Sequence, residues 1–171
     1  MIKMKTLKKH ILTLLLSAFL ITSFVACDEG GNPDPGATSA VEFAGDWYLI
    51  GYFPDGTIAY NSGYHTYTVY NTADDNGDFW IDDHGDFYEI KTKVTSNPET
   101  LTFSGPPNAP ELITGGTVTV SNGKIIKDGG RGSGSGTVVD SMYFEAEFDW
   151  DPGTVYQFAG HKRTGFLEDE H

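Results

Sequence analysis

The residue with the most specific chemistry is Cys27, the single cysteine of the chain, which therefore cannot form an internal disulfide. It follows Ser23-Phe24-Val25-Ala26. A thiol directly after a small residue is the substrate of lipoprotein processing. A diacylglyceryl group alkylates the sulfur, the peptide is cut on the amino side of the cysteine, and the new amine is acylated. Phe24 stands where leucine is more usual. Upstream, Lys3, Lys5, Lys8 and Lys9 precede a mostly apolar run over 11–26, shorter than the roughly 20 residues of a spanning helix. Residues 1–26 are expected to be a signal peptide, and Cys27 to carry acyl chains that tether the mature protein to a membrane.

The remaining reactive side chains match no complete catalytic or metal motif. His65, His84 and His161 have no zinc-ligand spacing and no second cysteine to join them. A hydrolytic triad needs a serine beside a histidine that an acid orients. No Gly-x-Ser-x-Gly elbow is present, and Gly132-Ser133-Gly134-Ser135-Gly136 reads as a mobile loop with no helix after it. His65 and His161 are the candidate catalytic residues if any chemistry occurs. The acidic runs 74–78 and 82–86 invite a calcium reading, but Phe79 and Gly85 occupy positions where an EF-hand loop needs Gly and Glu. Turns explain these runs better, so neither a metal nor a cofactor is expected.

Aromatic residues are the other chemical resource. The chain past residue 26 holds 21 of the 23 Phe, Tyr and Trp, and six tyrosines fall between 48 and 70. A tyrosine that gives its ring to an apolar space and its hydroxyl to a polar rim suits a ligand mouth. Tyr52, Tyr64, Tyr67 and Trp80 are the candidate lining. The alternative is that both faces of a twisted hairpin are aromatic for packing alone.

These side chains must be positioned by strands. From residue 40 onward apolar residues recur with period two, clearest in Met142, Phe144, Ala146 and Phe148 against Tyr143, Glu145, Glu147 and Asp149. Eight strands are predicted, over 47–53, 64–71, 78–82, 87–95, 101–104, 117–120, 142–148 and 154–162, and no segment carries a capped helical stripe. The expected fold is all-β, an eight-stranded antiparallel up-and-down barrel, with a sandwich as the alternative. Such a barrel holds one small ligand or is filled by side chains, so closure alone does not imply binding. Residues 27–39 form a lipidated spacer rich in Gly, Pro, Asp and Ser, and 40–171 the barrel domain.

Charge narrows the partners. Without the four lysines of the signal, 7 basic side chains face 24 acidic ones, a net −17. That excludes nucleic acid and anionic surfaces bound through a basic patch. Membrane attachment is left to the acyl chains, each buried methylene contributing about 0.8 kcal/mol.

Gly45-Asp46-Trp47 at the first strand resembles the opening of lipocalin-like barrels, in which the Trp plugs the closed end and a basic side chain from the last strand crosses it. Gly45, Trp47 and Arg163, with Lys162 beside it, are the closure residues this resemblance implies. The segments 45–48, 70–73, 79–83, 139–145 and 160–166, in their order, resemble a family of small lipoproteins known as lipid-binding putative hydrolases. That resemblance implies a lipocalin-like barrel and a hydrophobic ligand, and it supplies no catalytic residue. The expectation is a monomeric, exported lipoprotein on the outer membrane or cell surface, binding a lipid or other small apolar molecule. The alternatives are an esterase-like or lipase-like hydrolase and a non-catalytic surface module that contacts a glycan or protein.

Overall fold

The computed structural model describes His10 and residues 36–171. The signal segment and Cys27 lie outside the described residues. Among the described residues nine strands form, β1 (Gly45–Tyr52), β2 (His65–Asn71), β3 (Asp78–Asp82), β4 (Lys91–Asn97), β5 (Thr102–Ser104), β6 (Ala109–Pro110), β7 (Thr117–Arg131), β8 (Val138–Phe148) and β9 (Val155–Lys162). Eight of them close an antiparallel ring in the order β1, β2, β3, β4, β5, β7, β8, β9 and back to β1. The two-residue β6 pairs on β7 outside that ring.

Closure occurs where Thr102 and Phe103 of β5 pair with Lys124 and Gly123 of β7. A Cβ at Gly123 would stand 2.3 Å from the Phe103 ring, so only glycine lets the short β5 dock there. The same Asn122-Gly123 step is a bulge between the Ser121 and Lys124 registers, which bends β7 around the barrel.

The inward parity fills the barrel. Trp47, Leu49, Tyr67, Val69, Phe79, Ile81, Val94, Phe103, Phe144, Phe148, Tyr156 and Phe158 are all buried. Phe144 stacks on Phe158 at 4.7 Å, and Tyr67 meets both rings edge-on. Burying each such ring contributes roughly 1.5–3 kcal/mol, which makes this aromatic column the main source of stability.

Antiparallel order sets two different ends. At one end Phe43 packs on Phe79 and Phe103, and the indole Nε1 of Trp47 donates to the Phe43 carbonyl at 3.0 Å. Lys162 places its ammonium 5.4 Å above the Trp47 ring. Gly45, at φ 122, lies against the same lysine stem. Arg163, to which the sequence assigned the crossing of the indole, instead reaches Glu170 at 2.7 Å and Asp46 at 3.4 Å on the outside. Residue parity explains the exchange: Lys162 pairs directly with Trp47, and its neighbour faces away.

Three segments differ from the sequence-based expectation. β4 begins at Lys91, because residues 83–90 form a turn rather than the start of a strand. β7 and β8 extend well beyond 117–120 and 142–148 into a long hairpin arm. The 132–136 loop at its tip is held rather than free: Asp169 accepts hydrogen bonds from the amides of Gly134 and Ser135 and from the hydroxyls of Ser135 and Thr164.

Candidate functional site

The end opposite Trp47 is ringed by four connections, 53–64, 83–90, 105–116 and 149–154. Each places a large apolar side chain in solvent: Ile58 and Tyr60, Phe87, Leu112 and Ile113, and Trp150, the last 49 % exposed. This is the barrel mouth. A cleft of about 480 Å³ opens within it, bounded by Phe87, Tyr88 and Trp150, with Glu89, Thr114 and Asp149 as its polar edge.

The 83–90 turn is built around one carboxylate. Asp83 is fully buried and accepts from the amides of Gly85, Tyr88 and Ile90 at 2.9–3.0 Å and of Phe87 at 3.4 Å. Burial holds its carboxyl above the usual range, although those four amides counter the effect. The turn throws Tyr88 across the mouth. Its ring lies among Phe87, Phe148, Tyr156 and Phe158, and its hydroxyl reaches β1, where a Cβ on Gly51 would be only 2.1 Å away. Gly51 is thus the socket for Tyr88.

Below this crossbar lie polar atoms without partners. The hydroxyls of Tyr67 and Tyr88, the Ser62 Oγ and the His65 Nε2 are buried and make no hydrogen bond. Burial, and then the charges of Asp83, the Tyr88 phenol and Asp86, hold the Tyr67 phenol well above its ordinary range. Burial pushes the Tyr88 phenol up to about 12, helped by Tyr60, and the nearby Ser62 hydroxyl offsets part of this without completing a hydrogen bond. The other His65 nitrogen, Nδ1, pairs with Asp86 at 2.7 Å while the ring stacks on Phe87 at 4.4 Å.

The residues expected to line a ligand site are not brought together. Tyr67 is a core residue beneath the mouth. Tyr52 is half-buried and has the opposite strand parity from Trp47, Leu49 and Gly51. Tyr64 sits on the outer wall against His161 and His171, at 5.2 and 4.3 Å. Trp80 faces outward into a separate apolar cleft of about 550 Å³, with Pro106, Pro110 and Leu112 along one side and the Asp78–Lys93 ion pair along the other. His161 is buried against Tyr48, and its Nδ1 contacts the Lys162 carbonyl at 3.2 Å. His65 and His161 therefore occupy an inner and an outer position and share no site. Tyr88 and Ser62 are the mouth residues sequence reasoning passed over, and Asp86 reads from sequence only as part of a turn. The Asp82-Asp83-His84-Gly85-Asp86 turn next to them was their one visible signal.

A family model described as lipid-binding putative hydrolase matches residues 32–167, about four-fifths of the chain. No curated protein matches it.

Proposed function

Since the chain belongs to the lipid-binding putative hydrolase family, we propose that its barrel mouth binds a lipid or other small apolar molecule while Cys27 tethers the protein to the outer membrane. The observation that carries the reading is the set of exposed Tyr60, Phe87 and Trp150 on three different connections of one barrel end, two of them bordering a cleft with a polar edge. Soluble domains rarely gather large apolar side chains in this way without a partner for them. The aromatic column fills the barrel below, so the acyl chain lies in the mouth cleft and meets the Tyr88 ring as its floor.

Phe87→Ser combined with Trp150→Ser is expected to lower affinity for a twelve-carbon acyl probe at least tenfold, read by isothermal titration, with little change in Tm. Trp80→Ser tests the competing cleft that this ring lines. If that substitution removes binding and the Phe87 and Trp150 pair does not, the mouth reading is wrong. The tether is tested separately: Cys27→Ser is expected to abolish incorporation of labelled fatty acid and to release the protein from the membrane fraction.

Ester hydrolysis is a second reading, favoured by the His65–Asp86 pair at 2.7 Å. A general base needs a nucleophile hydroxyl on its other nitrogen, and Nε2 of His65 has none bonded to it. Ester turnover that survives His65→Ala would remove this reading.

A further inference from the structure

We propose that the buried hydroxyls of Tyr67 and Tyr88, with Nε2 of His65, form a seat for the uncharged hydroxyl-bearing end of a lipid, such as a fatty alcohol or a monoacylglycerol. The inference rests on the mouth reading above and adds the chemical class of the ligand.

The first step is the cost of the cluster. Tyr67 is 1 % and Tyr88 4 % exposed, and both hydroxyls lack a hydrogen-bond partner. A buried polar atom left unpaired costs about 1–3 kcal/mol, so phenylalanine at both positions would give a more stable barrel. Tyr88 and Asp86 act on Tyr67, Ser62 acts on Tyr88, and the His65 ring stacks on Phe87, which meets Tyr88, so these unpaired atoms gather under one turn as a polar feature that packing does not explain.

The second step is the donor and acceptor pattern. In the neutral ring, His65 donates Nδ1–H to the Asp86 carboxylate, which leaves Nε2 with a lone pair to offer. The two phenols offer O–H donors. A ligand hydroxyl satisfies both kinds at once, donating to Nε2 and accepting from a tyrosine. An ester carbonyl beside it takes the second phenol.

The third step is charge. The charged groups that act on Tyr67 are the carboxylates Asp83 and Asp86. Asp83 is already committed to four amides, and Asp86 to His65. A fatty-acid carboxylate entering this neighbourhood meets like charge and loses its hydration, whereas an alcohol carries no such penalty. The tail then runs outward past Phe87 and Trp150, the two rings that border the mouth cleft. The Tyr88 ring, packed against Phe87, Phe148, Tyr156 and Phe158 with its hydroxyl over Gly51, covers the path and must swing aside for the hydroxyl end to enter.

The test titrates the full chain with dodecanol, monododecanoyl glycerol, dodecanoate and dodecane at pH 7.5 by isothermal titration. Dodecanol and the glyceride are expected to bind at least tenfold more tightly than dodecanoate. Tyr67→Phe and Tyr88→Phe are each expected to weaken dodecanol binding about 2- to 10-fold, the range of one hydrogen bond, and to leave dodecane unchanged. Both variants are expected to melt at the same temperature as the parent chain or higher, which shows that they fold. Equal affinity for dodecanol and dodecanoate, or unchanged dodecanol affinity in both variants, overturns the proposal. If all four probes bind alike the mouth reading stands and the seat fails, and if none binds the mouth reading itself fails.

Discussion

At the scale of single residues the mouth depends on Asp83 and Gly51. Asp83→Asn keeps the shape but turns one acceptor oxygen into an amide donor that faces backbone N–H groups at 2.9–3.4 Å. It is expected to cost about 2–3 kcal/mol, read as a lower urea midpoint, because buried donors lose a charged partner. Gly51→Ala acts differently. Its methyl would occupy the place of the Tyr88 hydroxyl, and the phenol, as the free end of a side chain, moves first. Faster on-rates for a twelve-carbon alcohol are expected, and unchanged rates would mean that Tyr88 does not limit access. Little of this was legible beforehand. Parity alone separates Tyr52 from Tyr67, since 52 and 47 differ by an odd number and 67 and 69 share the inward face of β2. Tyr88 escaped because an alternating stretch over 87–95 reads as one strand, and nothing local reveals that a carboxylate four residues upstream folds its first part into a turn. Lys162 against Arg163 is the same lesson, one residue of register decided by pairing with a distant strand.

At the scale of elements, periodicity found all eight barrel strands and erred where glycine erased the pattern. β7 runs on through the bulge at Asn122-Gly123 and through Gly129-Gly130, where glycines mark no face, so the alternation in the sequence stops near residue 120. The hairpin arm it forms with β8 is fastened at its tip by the tail. Gly134 and Ser135 donate to Asp169 at 2.8 and 2.7 Å, and the Ser135 hydroxyl adds a bond at 2.6 Å. These bonds, the Ser135 hydroxyl foremost, hold the Asp169 carboxyl far below the usual carboxylate range. Asp169→Ala is expected to raise amide hydrogen exchange at Gly134 and Ser135 more than tenfold while the amides of β1 and β9 keep their protection. Uniform loss of protection across the barrel would show instead that the staple belongs to the global fold. Gly-Ser composition suggested a mobile loop because the partner that orders it lies 34 residues away.

For the whole molecule, two electrostatic effects of opposite sign compete. The chain carries a net −13 at neutral pH, and acid relieves that self-repulsion. Against this, hydrogen bonds and ion pairs hold the carboxyls of Asp55, Asp78, Asp82, Glu111, Asp140, Asp169 and Glu170 below their ordinary values in the folded state. A depressed carboxyl contributes stability that is present above its unfolded pKa, about 4, and is lost as pH falls through the folded value. Asp83 has the opposite sign, since its raised pKa favours the folded state as protons are added, but it is one group against seven. Repulsion among exposed charges is screened beyond about 8 Å at 0.15 M salt, whereas the depressed carboxyls act over direct hydrogen bonds. The local contribution therefore wins at physiological ionic strength, and Tm is expected to fall steadily between pH 5 and pH 3. At 0.01 M salt the screening length grows to about 30 Å, so the repulsion counts for more and the stability maximum shifts toward pH 5. Melting curves over pH 3–8 at the two salt concentrations separate the effects. A Tm that holds or rises from pH 5 to pH 3 in 0.15 M salt would mean that net charge, not the bonded carboxylates, governs the acid limb.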